Sequence, residues 1–286
     1  MPHLREFLQT EASRKPHYLV VGHPIGHSLS PLMHGAALAH HGIQAGYHAI
    51  DLAPDEVTRF ISWMNRDEFL GTNVTIPYKQ TLVETVDRLD PTVEMIGALN
   101  TIVKRDGELL GYNTDVPGFS YPLGDYREML EGGLAVVFGT GGASRAVTYA
   151  LLKLGVSEIV MVSRNPGNLD HSSRPDGFTY CNYSNWQVYG EEAVILVNTT
   201  PLGMAPETDQ SPVNADEQPL LMGKICYDLV YNPLRTTFLK RAESAGGIPV
   251  GGLEMFIRQG EESFRLWTGK RFPMEIIRNM LKPNLS

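Results

Sequence analysis

The chain has little cysteine and lacks long apolar runs. Cys181 and Cys226 are too few, and too far apart in sequence, for a disulfide framework or a zinc site. No apolar run approaches the roughly 20 residues that a membrane-spanning helix needs. Residues 1–15 are mixed charged and polar, without an apolar signal core. We therefore expect a cytoplasmic protein without a membrane partner.

The chain also lacks an excess of basic residues, because 32 acidic residues outnumber 24 basic ones and give a formal net charge of -8. This balance disfavours a nucleic-acid partner, although local basic groups can still bind a small anion. No internal repeat or low-complexity tract is evident. A length of 286 residues with 42% apolar residues fits one large or two ordinary globular domains.

Histidine is concentrated near the start, since eight of the nine histidines lie at or before His48. His23 and His27 are four residues apart, which is one helical turn. However, Pro24 and Gly26 lie between them, so the two rings do not share a helix face, and no acidic ligand is interleaved. The sequence therefore predicts no metal site.

The segment that carries most information is 71–79, Gly-Thr-Asn-Val-Thr-Ile-Pro-Tyr-Lys. It reads as a strand end that enters a turn at Pro77, because proline has no amide hydrogen to continue a strand ladder. The turn presents Lys79 at a defined position, where a held lysine can transfer a proton. Asn73 and Thr75 add short hydrogen-bonding groups suited to a hydroxylated ligand. The alternative from this segment alone is a turn with a solvated lysine.

Strand and helix patterns alternate in the first part of the chain, which predicts a mixed, partly parallel sheet. Asp106-Gly107, between two short strand patterns, is typical of a two-residue hairpin turn. The predicted strands are 18–22, 47–52, 73–76, 100–104 and 109–113, and the predicted helices are 31–41, 55–65 and 79–87.

A second unit begins at the apolar strand pattern 134–138. The turn Gly139-Thr140-Gly141-Gly142-Ala143 follows it and a helical pattern comes next, which is the context of a dinucleotide-binding turn. Gly139 permits a sharp turn, and Gly141 lets the backbone approach a pyrophosphate. Ser144 stands where the general fingerprint has a third glycine, so an ordinary tight connection is the alternative. Later patterns predict strands at 159–162, 194–197, 225–229 and 248–250, and a helix at 253–267.

The end of the next strand favours NADP as the cofactor. NAD sites usually place an acidic residue there, which accepts a hydrogen bond from the ribose 2′-hydroxyl. This chain has Ser163-Arg164-Asn165 instead. Arg164 would pair with a 2′-phosphate, and Ser163 and Asn165 would donate hydrogen bonds to it. A solvated charge at a strand end is the alternative.

Small polar residues recur in turn contexts after apolar segments along most of the chain. They lie in segments 23–34, 71–79, 98–102, 111–115, 139–143, 198–204, 228–233 and 252–259. From Tyr18 to Trp267, their order and spacing resemble the shikimate dehydrogenase family, whose members carry S-x-S-P, N-V-T-x-P-x-K, G-A-x-N-T and N-T-D segments. Each motif alone is modest, but the ordered set is highly specific.

The resemblance implies an α/β protein with the ligand cleft between two domains. A substrate-binding domain with a mixed, mainly parallel sheet would span 1–115, and a Rossmann-like NADP-binding domain would span 116–252. The C-terminal helices, 253–286, would return to the substrate domain. The family also implies a monomer or a homodimer.

The activity that the resemblance implies is the NADPH-dependent, reversible reduction of 3-dehydroshikimate to shikimate, a step of aromatic amino-acid biosynthesis. Ser28 and Ser30, two apart in a proline-bounded turn at a helix start, would bind the substrate carboxylate, while Ser30 would also cap the helix. By family position, the ring hydroxyls would contact Thr75, Asn100 and Asp115. Two residues, Tyr231 and Gln259, would close the site from the other domain. The nicotinamide would lie near Thr199, Thr200, Met204 and Gly252.

The resemblance implies that Lys79 is the catalytic residue, with Asp115 as its ionic partner. Lys79 would either deliver the proton to the carbonyl oxygen or chiefly orient and polarise that oxygen. Two other functions remain: a quinate/shikimate dehydrogenase that uses NAD or NADP, and a non-catalytic regulator that binds shikimate and NADP. Ser30 and Arg164 favour the strict enzyme over the first, and the presence of both Lys79 and Asp115 disfavours the second.

Overall fold

The computed structural model describes residues 1–26, 28–168 and 178–285. These residues form two compact units. The first contains Met1–Asp115 and Gln259–Asn284, and the second contains Val116–Arg258. His27, considered above as a metal ligand, lies outside the described residues.

The first unit is built on a mixed six-stranded sheet. Its strand order is β2-β1-β3-β5-β6-β4, with β5 antiparallel to both of its neighbours and the other pairs parallel. The Asp106-Gly107 hairpin is confirmed, and both residues adopt the positive φ values, 53° and 85°, that such a turn requires. The strands are β1 His17–Gly22, β2 Gly46–Asp51, β3 Phe69–Val74, β4 Arg88–Leu89, β5 Thr101–Arg105 and β6 Glu108–Tyr112.

Short helices and one long helix accompany this sheet. A cluster of buried aliphatic and aromatic residues, including Leu19, Phe60 and Phe69, forms the core on one side. The helices are α1 Leu4–Phe7, α2 Ser30–His40, α3 Val57–Trp63 and α4 Pro91–Ile96, with α10 Gly252–Thr268 (from Gln259 onwards) and α11 Met274–Leu281 from the end of the chain.

Two predicted elements in this unit differ from the structure. The helix predicted for 79–87 is wrong: turns and a single 3-10 turn, Val83–Thr85, occupy the segment. The carbonyl oxygen of Lys79 accepts a hydrogen bond from the distant Leu99 N–H (2.8 Å), so it does not serve a helical i+4 partner. The strand predicted for 73–76 instead spans Phe69–Val74, and Thr75 already belongs to the following turn.

The second unit contains a six-stranded sheet in which every described pair is parallel. Its order, β12-β11-β10-β7-β8-β9, is that of two mononucleotide-binding halves that meet between β7 and β10. This arrangement confirms the predicted Rossmann-like α/β fold. The strands are β7 Leu134–Phe138, β8 Glu158–Val162, β9 Phe178–Cys181, β10 Ile195–Asn198, β11 Ile225–Asp228 and β12 Ile248–Gly251.

The central strands of this sheet are buried on both faces. Along β7, Ala135 and Val137 join one core, whereas Val136 and Phe138 join the other, because successive side chains alternate across a strand. The sheet is therefore covered on both sides, which explains the uniformly apolar sequence of its strands. The helices are α5 Asp115–Ser120, α6 Arg127–Leu130, α7 Gly142–Lys153, α8 Gln187–Gly190, α9 Thr237–Ser244 and the first turns of α10.

Two further observations concern partners and ions. Within the described ranges, no helix has the length and apolar character needed to cross a bilayer. Among these same residues, no group of three or more His, Cys, Asp and Glu side chains is arranged to hold a metal ion.

Candidate functional site

Polar side chains of the first unit gather at one edge of its sheet. Strands β1, β3 and β6 all end at this edge, and the antiparallel β5 begins there. Ser28 and Ser30 follow β1, Thr75 follows β3, Asn100 immediately precedes β5, and Asp115 follows β6. The topology thus brings side chains from distant parts of the sequence to one edge.

Lys79 and Asp115 form a short ion pair at this edge. The Lys79 Nζ donates to Asp115 Oδ2 at 2.5 Å, and the two side chains are only 12% and 7% exposed. The turn that carries Lys79 is held at its backbone, since Tyr78 N–H donates to the Thr75 carbonyl and Leu99 N–H donates to the Lys79 carbonyl. The lysine is therefore fixed next to its carboxylate partner.

The second carboxylate oxygen of Asp115 is held by Asn100. Asn100 Nδ2 donates to Asp115 Oδ1 at 2.9 Å, and Asn100 is 3% exposed. The Asp115 backbone N–H donates to Asn113 Oδ1 at 3.1 Å, which fixes the start of α5. Both carboxylate oxygens therefore accept a hydrogen bond, which fixes the orientation of the carboxylate. Because the other Asn100 amide hydrogen contacts Thr114 Oγ1 (2.9 Å), a ligand hydroxyl at Asn100 must share these partners.

The serine turn differs from the prediction in one respect. Ser30 does not cap α2: it is the first residue of that helix, and the preceding residue is Leu29. Instead, Ser28 Oγ accepts a hydrogen bond from the Ser30 N–H at 3.3 Å, so the turn is closed by its own first serine. Ser28 is half-buried and Ser30 is buried. Burial raises the pKa of Tyr47 well above its usual value, and a side-chain hydrogen bond with Ser30 opposes that rise.

The side chain of Asn73, which the sequence places beside a ligand, is hydrogen-bonded within the protein. Its side chain is 6% exposed, and Tyr47 Oη donates to its Oδ1 at 2.7 Å. Its Nδ2 donates to Ser263 Oγ at 2.9 Å and to Thr101 Oγ1 at 3.1 Å. The hydrogen-bonding groups of Asn73 are thus engaged inside the protein. Thr75, two residues later, is half-buried in the turn and stays a candidate for a ligand hydroxyl.

The glycine turn of the second unit lies where the two halves of its sheet meet. Gly139 follows β7 with a φ of 105°, and a Cβ there would lie 2.6 Å from Thr199 Oγ1, which follows the neighbouring β10. Only glycine combines this backbone with this close approach. Ligands of parallel α/β sheets bind at such a point, outside the carboxyl ends of the strands.

The start of α7 leaves room for an anionic ligand. Gly141 precedes the helix, and no described heavy atom beyond its chain neighbours lies within 4 Å of where its Cβ would be. Gly142 and Ala143 form the first helical turn, whose N–H groups favour a phosphate. Thr140 is half-buried beside them. The residues therefore fit a dinucleotide pyrophosphate.

The Ser163-Arg164-Asn165 segment directly follows β8, as predicted. Arg164 and Asn165 are exposed, and Ser163 Oγ accepts a hydrogen bond from the Asn165 N–H at 3.3 Å. β8 pairs with β7, so this segment lies at the same edge of the sheet as the glycine turn. The Arg164 guanidinium is thus exposed at the same edge of the sheet as the glycine turn.

A buried carboxylate organises the loops after β10 and β11. Asp228 Oδ1 accepts from Asn198 Nδ2 (2.9 Å) and Val230 N–H (3.0 Å), and Thr236 Oγ1 donates to its Oδ2 (2.6 Å). Burial raises the pKa of Asp228 to about 6, while its three hydrogen bonds oppose the rise. Asn198 Oδ1 in turn accepts from the Thr200 N–H at 3.0 Å.

The other predicted nicotinamide residues lie in the same unit. Gly252 begins α10, and a Cβ there would collide with the Leu229 carbonyl, so this position requires glycine for space. Thr199 is half-buried, and Met204 is exposed by 47%. Asp228 and Asn198 were not predicted as site residues, although both lie in segments that carry the family resemblance.

Tyr231 and Gln259 do not belong to the same unit. Tyr231 lies in the second unit and stacks on Phe256, with 4.3 Å between ring centroids. Gln259 belongs to the first unit, which corrects its assignment to the other domain. The boundary between the two units falls within α10. The helical pattern of α10 is continuous, so the sequence contains no signal for a boundary there.

Comparisons with known proteins agree with this geometry. The family model of the shikimate dehydrogenase substrate binding domain matches residues 20–102, and that of the shikimate 5′-dehydrogenase C-terminal domain matches residues 252–282. A shikimate dehydrogenase (NADP(+)) of Trichormus variabilis is 36% identical over 276 residues, which cover 93% of this chain and 96% of the relative. That of Methanothermobacter thermautotrophicus is 38% identical over 269 residues, 92% and 94% of the two chains.

A solved structure is similar over the same extent. Shikimate 5-dehydrogenase from Thermus thermophilus, in complex with NADP(H) and shikimate, superposes with a TM-score of 0.82. It is 33% identical in sequence, and the match covers 94% of this chain and 100% of that one.

Proposed function

Since this chain belongs to the shikimate dehydrogenase family, we propose that it catalyses the reversible reduction of 3-dehydroshikimate to shikimate with NADPH. The observation that carries the proposal is the buried Lys79–Asp115 ion pair at the polar edge of the first sheet. A ligand sensor has no need of a lysine held this closely. Carbonyl reduction needs one, because the carbonyl oxygen must gain a proton as its carbon gains hydride.

The residues of the first unit would bind and activate the substrate. Ser28 and Ser30 would donate hydrogen bonds to its carboxylate at the start of α2, where a negative group is favoured. Thr75 and Gln259 would contact ring hydroxyls, and Asn100 would do so while it holds Asp115. By family position, Tyr231 would be a further substrate-binding residue. These contacts would fix the carbonyl carbon and oxygen relative to Lys79.

Lys79 would then supply the proton. In the reduction, the Lys79 ammonium donates a proton to the carbonyl oxygen, and in the oxidation the neutral amine takes a proton from the shikimate hydroxyl. Asp115 orients the ammonium and balances its charge, since both of its oxygens already accept hydrogen bonds in the folded protein. The pair acts mainly on the transition state, where charge develops on the oxygen.

The second unit would hold the cofactor, whose reduced nicotinamide supplies the hydride. Gly139, Thr140, Gly141, Gly142 and Ala143 would surround the pyrophosphate at the start of α7. Ser163, Arg164 and Asn165 would bind the 2′-phosphate, which distinguishes NADP from NAD. The loops with Thr199, Thr200, Met204 and Gly252 would receive the nicotinamide. We place the enzyme in the cytoplasm, as a monomer or a homodimer, and light scattering on the purified protein distinguishes these two states.

One assay tests the function directly. Shikimate and quinate are each offered with NADP and with NAD, and the absorbance of the reduced nicotinamide is followed. We expect the highest kcat/KM for shikimate with NADP, and loss of this activity in the Lys79→Ala protein prepared in parallel. Equal rates with quinate and NAD would indicate a quinate/shikimate dehydrogenase. Binding of shikimate without turnover would indicate a regulator.

A further inference from the structure

A buried cluster of hydroxyl and amide groups is connected to the Lys79–Asp115 pair through Asn100. Its centre is Ser263 on α10, which is fully buried. Ser263 Oγ lies 2.8 Å from Thr101 Oγ1 and 3.0 Å from Thr114 Oγ1, and it accepts from Asn73 Nδ2 at 2.9 Å. It also donates to the backbone carbonyl of Gln259 at 3.0 Å. We call Asn73, Thr101, Thr114 and Ser263 the Ser263 cluster.

Asn100 connects this cluster to the ion pair, and its hydrogen bonds determine which way its amide group points. The Thr114 backbone N–H donates to Asn100 Oδ1 at 2.7 Å, so the Asn100 amide group must point its Nδ2 away from that N–H. The two Nδ2 hydrogens then contact Asp115 Oδ1 and Thr114 Oγ1, each at 2.9 Å. Thr114 Oγ1 accepts from Asn100 Nδ2, and its own proton has two acceptors within reach, Ser263 Oγ at 3.0 Å and Asn100 Oδ1 at 3.2 Å.

The opposite side of the cluster is fixed in the same way. Tyr47 Oη donates to Asn73 Oδ1 at 2.7 Å, which turns the Asn73 Nδ2 toward Ser263. The Tyr47 ring is stacked on His34, with 4.3 Å between centroids and 2° between the planes. Tyr47 and Asn73 therefore present a donor, and not an acceptor, to Ser263.

A buried serine at this position is unfavourable unless its hydroxyl makes hydrogen bonds. Ser263 follows Gly260, where a Cβ would lie 2.4 Å from Met33 Cε, by about one helical turn, and it precedes the buried Phe264. Burying a hydroxyl among apolar groups is unfavourable unless its hydrogen bonds are made. Here the Ser263 contacts join the helical turn that carries Gln259 to the two threonines beside Asn100.

We propose that Ser263 is a positioning residue, which acts through Thr114 and Asn100 to hold Asp115 against Lys79 and which also fixes the helical turn of Gln259. The proposal rests on the function given above and assigns a residue outside the substrate contacts. Removal of the hydroxyl leaves the Thr114 hydroxyl and the Asn73 amide with one acceptor fewer. The Thr114 backbone N–H still orients Asn100, but the Thr114 segment that supplies this N–H loses one of its side-chain anchors.

The first test is the kinetics of Ser263→Ala, with Ser13→Ala as the matched control. Ser13 is also a buried serine of the first unit, and its hydroxyl donates to the carbonyls of Leu8 and Thr10, away from the cluster. We expect Ser263→Ala to lower kcat/KM for shikimate by about tenfold, the scale of one lost buried hydrogen bond. KM for NADP should be unchanged, and Ser13→Ala should keep wild-type kinetics.

A double-mutant cycle separates positioning from a general structural role. If Ser263 acts through Asn100 and Asp115, its removal should lower kcat/KM for shikimate by less than about twofold in an Asp115→Asn background. Persistence of the full tenfold loss in that background, or an equal rise in KM for NADP, overturns the proposal. So does a Ser263→Ala protein with wild-type kinetics.

The wild-type protein distinguishes failure of this inference from failure of the proposed function. If the wild type turns over shikimate and the Ser263→Ala variant has the same kinetics, only the role of Ser263 is rejected. If the wild type binds shikimate without turnover, calorimetric Kd values for the same variants replace kcat/KM, and an unchanged Kd again rejects the role. A wild type that neither binds nor oxidises shikimate overturns both proposals.

Discussion

Lys79 and Asp115 are 36 residues apart in sequence, yet their charged groups lie 2.5 Å apart in a largely buried setting. The contact exists because β3 and β6 end at the same edge of the sheet, with β5 between them. A buried charge is costly unless it is paired, and here each charged group faces its counter-charge. This is the pair that we propose for the proton transfer.

Lys79→Ala is expected to lower kcat by roughly 10²–10⁴-fold, the usual scale of general acid–base catalysis. KM for shikimate should change much less, because Ser28, Ser30 and Thr75 remain. Lys79→Met is a second variant that fills the space of the lysine stem. Lys104→Ala is the control, since Lys104 Nζ donates to the carbonyls of Asn65 and Arg66, away from Asp115. A raised KM at unchanged kcat in steady-state assays would show that Lys79 only binds substrate.

Arg164→Ala is expected to weaken NADP binding by about 1.5–3 kcal/mol, the range for a hydrogen bond to a charged group. NAD binding should be nearly unchanged, because NAD lacks the 2′-phosphate. Titration of both dinucleotides by calorimetry measures the difference. Arg127→Ala, which removes another exposed arginine of the second unit, is the control. Parallel losses for NADP and NAD would place Arg164 away from the 2′-phosphate.

Ser28→Ala is expected to reduce kcat/KM for shikimate by roughly 10- to 100-fold, because one hydrogen bond to the carboxylate is lost. The unmodified protein should prefer shikimate to quinate, since quinate adds a hydroxyl at the carbon that bears the carboxylate, beside the serine turn. Ser62→Ala serves as the control, because Ser62 lies on α3 and donates to the Thr58 carbonyl. Comparable kcat/KM for shikimate and quinate in the wild type would contradict the steric reading of the turn.

Asp228 makes the stability of the second unit depend on pH. Its folded pKa is raised from 3.8 to about 6, so between these values the folded state holds a proton that the unfolded state has lost. The contribution of Asp228 to stability therefore falls as pH rises through this window, by about 3 kcal/mol in all, and is constant above it. Asp228→Asn removes this dependence.

Urea unfolding of wild type and Asp228→Asn from pH 4 to pH 7 checks this prediction. The free energy of unfolding of the variant, relative to wild type, should rise by about 2.5 kcal/mol between pH 4 and pH 7. Its absolute value will also include the hydrogen bonds that the asparagine loses, so only the change with pH is diagnostic. Asp216→Asn, at an exposed position, is the surface control. A difference that is constant with pH would contradict a raised pKa at Asp228.

Local patterns in the sequence determined most of the secondary structure and the class of both sheets. Apolar strands such as 134–138, the Asp106-Gly107 turn and the glycine turn after β7 are each specified by neighbouring residues, so they could be predicted without coordinates. The ordered motifs likewise indicated the family. These signals act over a few residues, where backbone preferences and side-chain alternation decide the outcome.

Tertiary structure alone decided which polar groups meet, because such contacts depend on strand order and not on local spacing. The Leu99 N–H donates a hydrogen bond to the Lys79 carbonyl, in place of the i+4 hydrogen bond of the helix that the 79–87 pattern predicted. Asn73 reads as a ligand residue in the sequence. In the structure its amide group is hydrogen-bonded to Tyr47 and Ser263, which are 26 and 190 residues away in sequence. A buried polar group must find its partners wherever the fold supplies them, and for Asn73 those partners lie on β2 and on α10.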